Sequence, residues 1–156
     1  MRVSNLMCKN VTSIEQGQSL SNAAQLMWDC DCGAIPVRDE QGRVVGMVTD
    51  RDICMATWSR GLAPAEIRGA EAMSSPVHFC SPEDSIATAE SLMRANQIRR
   101  IPVVDREQRL VGIISLADVA KSVGSPQHLA DPELSPERLA MTVSTICEGR
   151  TNRKAA

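Results

Sequence analysis

Aromatic side chains are nearly absent from this 156-residue chain: Trp28, Trp58 and Phe79 are all there are, and tyrosine is missing altogether. Any core must therefore be aliphatic, built from Ile, Val, Leu, Met and Ala. No apolar run approaches the roughly 20 residues that cross a bilayer, so a membrane partner is not expected. The first residues, Met1-Arg2-Val3-Ser4-Asn5, do not open a signal peptide, and the expected location is cytoplasmic. Excess positive charge is lacking too. The formal net charge is −2 with mixed signs, without the basic footprint of a nucleic-acid binder.

The chemistry-bearing motifs are equally sparse. There is no G-x-G-x-x-G, no G-x-x-x-x-G-K-[ST] and no Ser-His-Asp set, so no nucleophile meets a base and an enzyme is not expected. The two histidines, His78 and His128, have no helical partner at metal-ligand spacing. Six cysteines, Cys8, Cys30, Cys32, Cys54, Cys80 and Cys147, form no C-x-x-C pair. Several stand at apolar positions, where a free thiol acts as a small hydrophobe. Cys30-Asp31-Cys32 is the one close pair, and no metal ligand is assigned.

What is present is present twice. Ile35-Pro36-Val37 returns 66 residues later as Ile101-Pro102-Val103, Gly46 as Gly112, Asp52 as Asp118 and Met7 as Met73. Repetition at a fixed period dictates architecture. Ser19 and Ser85 are helix N-cap residues. Leu20, Ala23, Leu26 and Met27 follow the first with helical spacing, and Ile86, Ala89, Leu92 and Met93 follow the second. A short strand is expected over Val11–Ile14. Strand pairs are expected over Ala34–Val37 with Val44–Thr49, and over Ile101–Val104 with Leu110–Ser115, each around a turn-rich segment. Helices Asp50–Ser59 and Leu116–Val123 follow directly. The order is β-α-β-β-α, twice.

Expected boundaries are 1–62 for the first repeat, 63–72 for a polar linker, 73–128 for the second repeat and 129–156 for an extension. In that extension, Ser125–Glu133 reads as loop, and Ser135-Pro136 as a cap with proline at the first helical position. Leu139, Val143, Ile146 and Cys147 form the apolar stripe of a last helix that Gly149 ends, before a frayed tail from Arg150 to Ala156. This helix has no counterpart after the first repeat. It covers a neighbouring surface or joins a dimer contact. Trp28 and Trp58 close their helices against the core or lie in such a contact.

Each repeat also carries a Gly-apolar-apolar-hydroxyl-x-x-Asp signature. It runs Gly46-Met47-Val48-Thr49-Asp50-Arg51-Asp52 and Gly112-Ile113-Ile114-Ser115-Leu116-Ala117-Asp118. A hydroxyl between strand and helix sits beside free backbone N–H groups and the positive end of the helix dipole, a natural phosphate site. An aspartate three residues on could accept hydrogen bonds from two neighbouring ribose hydroxyls. The same spacing is also a capping box, in which Thr49 with Asp52, and Ser115 with Asp118, satisfy helix-end donors and bind nothing. Asp is short for the reach usually made by Glu or Gln. Both readings stand on these residues.

Over residues 7–124, through Gly33-Ala34-Ile35-Pro36-Val37, Arg100-Ile101-Pro102-Val103-Val104-Asp105 and the two signatures, the chain resembles a tandem pair of cystathionine-β-synthase-type (CBS) domains. The resemblance implies an α/β fold of two β-α-β-β-α CBS repeats packed with pseudo-twofold symmetry, plus the C-terminal helix. It implies no required cofactor, and an adenine nucleotide as regulatory ligand: AMP, ADP or ATP, with S-adenosylmethionine or NAD as further candidates. Carried over by position, Asp52 and Asp118 hold ribose, while Thr49 and Ser115 meet phosphate or ribose oxygens. Ile35 and Ile101, with Pro36 and Pro102 beside them, wall a purine. The segment entering each repeat lines the cleft of the other, which puts Asn10 to Thr12 near Ser115 and Asp118, and Pro76 to His78 near Thr49 and Asp52. Arg99 and Arg100 stand at positions that are basic in related domains, where the first half has Gly33 and Ala34. The Ser115–Asp118 cleft is thus the better phosphate site.

The expected function is that of a sensor in which such a ligand alters a surface read by a partner protein. A homodimer is expected, with the helix from Pro136 to Glu148 as candidate contact for the partner. One rival is a ligand-free scaffold. A second is a thiol- or metal-responsive protein using Cys30 and Cys32, with Cys8 or Cys80.

Overall fold

The computed structural model describes residues 1–123, 125, 131 and 134–148. The readings of Gly124, His128, most of the 125–133 loop, Gly149 and the tail lie outside the described residues.

In chain order the labelled elements are β1 Ile14–Glu15, α1 Leu20–Asp29, β2 Ala34–Arg38, β3 Val44–Thr49, α2 Asp50–Arg60 and α3 Gly69–Ala72, followed by α4 Ile86–Asn96, β4 Arg100–Val104, β5 Leu110–Ser115, α5 Leu116–Val123 and α6 Pro136–Cys147. Short 3-10 turns occupy Val3–Asn5 and Pro64–Glu66. The segment read as a linker therefore holds two helical turns. Strand β1 is displaced from the expected Val11–Ile14, because only Ile14 and Glu15 find partners, pairing in parallel with Val37 and Arg38. Upstream, the Thr12 hydroxyl is instead within 3.2 Å of Cys30 Sγ. The second copy shortens further, to one parallel bridge between Cys80 and Val103.

The chain forms two compact units that interleave the repeats. One is made of Asn10–Phe79 with Val104–Val111, the other of Met1–Lys9, Cys80–Val103 and the chain from Gly112 onward. In the first, β1, β2 and β3 form a sheet, with β2 and β3 antiparallel from Ala34↔Thr49 to Arg38↔Val44. Ile14, Leu20, Ala23, Met27, Ile35, Val37, Val48 and Ile67 form its core. Positions 66 residues on, Cys80, Ile86, Ala89, Met93, Ile101, Val103 and Ile114, are buried in the same way in the second unit. The aliphatic core expected from the composition is what the fold contains.

Each unit is closed by an incoming segment. Leu20 N–H donates to Ile67 O at 2.8 Å, and Ser74 bridges Met47. In the second unit Ile86 N–H donates to Met1 O at 2.9 Å, and Cys8 bridges Ile113. Residues 1–8 thus serve α4 and β5 as residues 67–74 serve α1 and β3. The repeated glycines explain the repeated methionines: a Cβ on Gly46 would stand 2.4 Å from Met73 Sδ, and one on Gly112 would stand 2.6 Å from Met7 Sδ. Only glycine lets the methionine lie across the strand.

Helix α6 packs on α4 and α5, the first of the two alternatives read for it. Ser135 caps it, accepting from Arg138 N–H at 3.2 Å, with proline in the first turn. Its buried face is rotated from the expected stripe. Thr142 and Ile146 are buried, while Val143 and Cys147 are exposed. The reason is polar: Thr142 Oγ1 accepts from Arg94 Nη1 at 2.7 Å, and Arg138 Nη2 donates to the fully buried Glu90 carboxylate at 3.1 Å. A buried Glu90 carboxylate left without Arg138 and Thr142 would be an uncompensated charge, so these polar residues, not Val143 and Cys147, take the inner face. Trp28 and Trp58, 84% and 77% exposed, do not close their helices against the core.

Candidate functional site

The two signatures fold alike because the backbone demands it. A strand running straight into a helix leaves the first N–H groups of the helix without carbonyl partners. In the first unit Asp52 N–H donates to Thr49 Oγ1 at 3.1 Å, while Thr49 N–H and Oγ1–H both donate to Asp52 Oδ2, at 2.9 and 2.7 Å. In the second, Asp118 N–H donates to Ser115 Oγ at 3.3 Å, and Ser115 N–H and Oγ–H donate to Asp118 Oδ2 at 2.8 and 2.5 Å. Asp is therefore long enough to complete a capping box, against the expectation that it falls short. The hydroxyl helps by donating to the same carboxylate, which draws the two side chains together.

In both pairs the cap uses Oδ2 alone. Among the described residues no hydrogen bond reaches Oδ1 of Asp52 or Asp118, and all four side chains are half-buried rather than enclosed. Each junction therefore presents one uncommitted anionic acceptor beside a helix N-terminus.

The surroundings differ. Leu116 N–H, at the start of α5, donates to Arg99 O at 2.9 Å, which fixes Arg99 at the Ser115–Asp118 junction. The equivalent bond in the first unit, Asp50 N–H to Gly33 O at 3.2 Å, brings a glycine to the same place. Arg99 is exposed and Arg100 half-buried, so the second unit carries two cations where the first carries Gly33 and Ala34. His78 is exposed in the first unit, four residues beyond Ser74, which bridges Met47 two residues before Thr49. Asn10 and Thr12 belong to that same unit, while Ser115 and Asp118 belong to the other. Ile35, Pro36, Ile101 and Pro102 are buried, the two isoleucines completely. The isoleucines are core residues that brace the strands, and they present no open wall.

Two further charged pairs escaped the sequence reading. Asp39 accepts from Arg43 N–H at 2.8 Å and Arg43 Nε at 2.7 Å, and Asp105 repeats this with Arg109 at 2.8 and 2.9 Å. Desolvation pushes each carboxyl upward, but the arginine backbone and guanidinium bonds outweigh it and hold both below the usual carboxylate range. The aspartates at positions 39 and 105 and the arginines at 43 and 109 lie 66 residues apart, which was the available signal. Among the described residues no group of three or more His, Cys, Asp and Glu side chains gathers to hold a metal, and no helix is long and apolar enough to cross a membrane.

A duplicated α/β module with a closed hydroxyl–aspartate cap at each strand-to-helix junction defines a class of paired domain. The chain matches the CBS domain over residues 3–58 and again over 67–125, and it belongs to that family. It is 35% identical over 123 residues to hypoxic response protein 1 of Mycobacterium tuberculosis, spanning 79% of this chain and 84% of that one. Among solved structures it resembles Hypoxic Response Protein I with two coordinated zinc ions, with a TM-score of 0.72 at 33% identity, covering 78% of this chain and 98% of the other. It also shares its fold with the CBS domain pair of MJ0100, solved in complex with 5-methylthioadenosine and S-adenosyl-L-methionine. There the TM-score is 0.70 at 24% identity, covering 78% of this chain and 94% of that one.

Proposed function

We propose that this protein is a regulatory sensor of an adenosine-containing ligand. The observation that carries the proposal is the uncommitted Oδ1 of Asp52 and Asp118, each beside a helix N-terminus and each left open by a cap that needs only Oδ2. A carboxylate so placed accepts from ribose hydroxyls without giving up its structural bond. Thr49 and Ser115 then meet phosphate or ribose oxygens, where the helix dipole favours negative charge. Arg99 and Arg100 make the Ser115–Asp118 site the stronger phosphate binder. His78, in the same unit as Thr49 and Asp52, adds a polar group for the first site. The adenosine compounds bound by the MJ0100 pair support the ligand class. AMP, ADP and ATP lead, with S-adenosylmethionine and NAD behind them. The ligand acts by its differential affinity for two arrangements of the protein, which a partner protein reads. The protein works as a cytoplasmic homodimer of two repeats, 1–62 and 73–128, and catalyses no reaction.

The closed capping boxes favour a second reading, a scaffold in which Asp52 and Asp118 only stabilise helices. Titration calorimetry against AMP, ADP, ATP, S-adenosylmethionine and NADH separates the two, with Asp52→Asn and Asp118→Asn alongside. The asparagine oxygen keeps the cap acceptor while the amide replaces the free carboxylate oxygen. Saturable binding weakened by Asp118→Asn, in protein with unchanged circular dichroism, establishes the sensor. No heat from any of the five ligands establishes the scaffold.

A further inference from the structure

The turn that ends α1 is built a second time at the end of α4, with different side chains. Asp31 closes α1 with φ +48°, its N–H donating to Trp28 O at 3.3 Å while Cys32 N–H donates to Met27 O at 2.9 Å. Gln97 closes α4 with φ +50°, through its own N–H to Arg94 O at 3.2 Å and Ile98 N–H to Met93 O at 3.0 Å. This backbone pattern is a Schellman cap, and it dictates neither flanking side chain.

In the second copy the flanks serve the helix. Asn96 Nδ2 donates to Leu92 O at 2.9 Å, and Ile98 is apolar. The first copy has Cys30 and Cys32 in their places. Cys30 is exposed, and its Sγ lies 3.2 Å from the Thr12 hydroxyl rather than on a carbonyl of α1. Cys32 is half-buried and lines an open cleft of about 450 Å³ between the end of α1 and the start of α2, beside Met27, Trp28, Asp31 and Asp50. Neither the cap nor the apolar contact asks for a thiol.

Geometry and charge both suit a soft cation. A left-handed residue holds the Cα atoms on either side of it about 5.4 Å apart, by the dimensions of a helix. An ion between two sulfurs accepts them about 4–5 Å apart, twice the usual metal–sulfur length, where a disulfide demands about 2 Å. Asp29 and Asp31 flank Cys30, Asp50 shares the cleft with Cys32, and the carbonyl end of α1 is the negative pole of its dipole. Among the described residues none of these three carboxylates has an ion-pair partner. That field favours a bound cation. Thiolate sulfur selects soft ions, copper(I) among them. Zinc takes four ligands, and among the described residues no group of three His, Cys, Asp and Glu side chains gathers to supply them.

We infer that Cys30 and Cys32 form a two-coordinate site for a soft monovalent metal ion, copper(I), at the end of α1. The ion displaces both thiol protons to solvent and is held by two thiolates. The site is independent of the adenosine reading and needs no nucleotide.

The test uses the full chain, reduced and free of oxygen, with Trp58→Phe so that Trp28, which lines the cleft with Cys32, is the only tryptophan. Copper(I) is supplied as a coloured chelate whose bleaching reports transfer, while Trp28 emission reports where the ion lands. Cys30→Ser, Cys32→Ser and a Cys54→Ser/Cys147→Ser variant are compared in that background. The expected result is transfer of a first equivalent with a saturable change in Trp28 emission. Removing even an outer partner of a metal ligand costs about 10–100-fold, so loss of either thiolate should weaken binding more than ~100-fold. The Cys54→Ser/Cys147→Ser variant should bind unchanged. No transfer to the parent chain, or transfer that survives Cys30→Ser, overturns the site. Loss of the first equivalent in Cys54→Ser/Cys147→Ser assigns the ion to surface thiols and overturns it as well. Zinc(II) bound as tightly by the same two cysteines overturns the choice of a soft ion. If Cys32→Ser alters the circular dichroism spectrum, the exposed Cys30→Ser carries the test, with the same outcomes.

Discussion

Gly46 and Gly112 occupy the same place in the two signatures, and alanine should cost more at the first than at the second. At Gly46 the added methyl would lie 2.4, 2.8 and 2.9 Å from Met73 Sδ, Cγ and Cβ. The Cβ is tied to the main chain, so rotating the side chain does not clear the site. At Gly112 the methyl meets Met7 Sδ at 2.6 Å, but Met7 Cγ and Cys8 O stand back at 3.2 Å. There the flexible thioether end can swing aside. Overpacking costs about 1–3 kcal/mol, and removing glycine from an ordinary backbone position returns about 0.4–1 kcal/mol through the unfolded chain. Neither glycine has a positive φ, so that gain applies to both. The balance is about 1–2 kcal/mol of destabilisation for Gly46→Ala and about zero to 1 kcal/mol for Gly112→Ala. Urea unfolding monitored by circular dichroism reads both, provided the m-value stays constant. Met73→Ala in the Gly46→Ala background should recover part of the loss through favourable coupling. Equal costs at the two sites, or a stable Gly46→Ala, would refute the close-approach argument.

Gln108 has φ +63° where the first repeat has Gly42 at +79°. Left-handed backbone costs a side chain about 1 kcal/mol, so Gln108→Gly should leave the urea midpoint unchanged or raise it, whereas Gly42→Gln should lower it. Asp39 and Asp105 have depressed carboxyl pKa values, so their contribution is complete above the ordinary value of 3.8 and is lost as pH falls through the lowered folded values. An Asp39→Asn/Asp105→Asn variant should therefore lose less stability than the native chain between about pH 6 and about pH 3 in paired urea titrations. Burial, reinforced by the Asp84 charge, raises the Cys80 thiol to about 12, so at neutral pH a disulfide reagent should label exposed Cys8, Cys30, Cys54 and Cys147 while Cys80 reacts only after unfolding.

What could be read beforehand was whatever the repeat states twice. The caps at Ser19 and Ser85, the strand pairs and the junction helices are local patterns, and two copies confirmed each other. Strand β1 was misplaced because two residues of ladder leave almost no period to read, and because its partner Val37 is far along the chain. The inner face of α6 was misread because apolar spacing says nothing of a partner: Thr142 turns inward only since Arg94 and Glu90 wait there, about 50 residues upstream. Ile35 and Ile101, which the family resemblance offers as purine walls, are fully buried, and β-branched residues flanked by buried strand neighbours are core by default. At the signatures the residue types were legible, but the geometry of the cap was not. The extra hydroxyl-to-carboxylate bond that makes Asp sufficient is a matter of tenths of an ångström.

The pairing of residues 1–8 with α4 and β5 also governs the order in which the molecule can be completed on the ribosome. The core of the first unit draws on residues 14–67 and is available early in synthesis. The first eight residues have no such opportunity. Met1 waits for Ile86, and Cys8 for Ile113, so residues 1–8 find their first partners only about 80 residues later and their last about 105 residues later. Loop-closure entropy makes such distant contacts late and slow. Residues 1–8 are therefore made before the core of the first unit and placed after it.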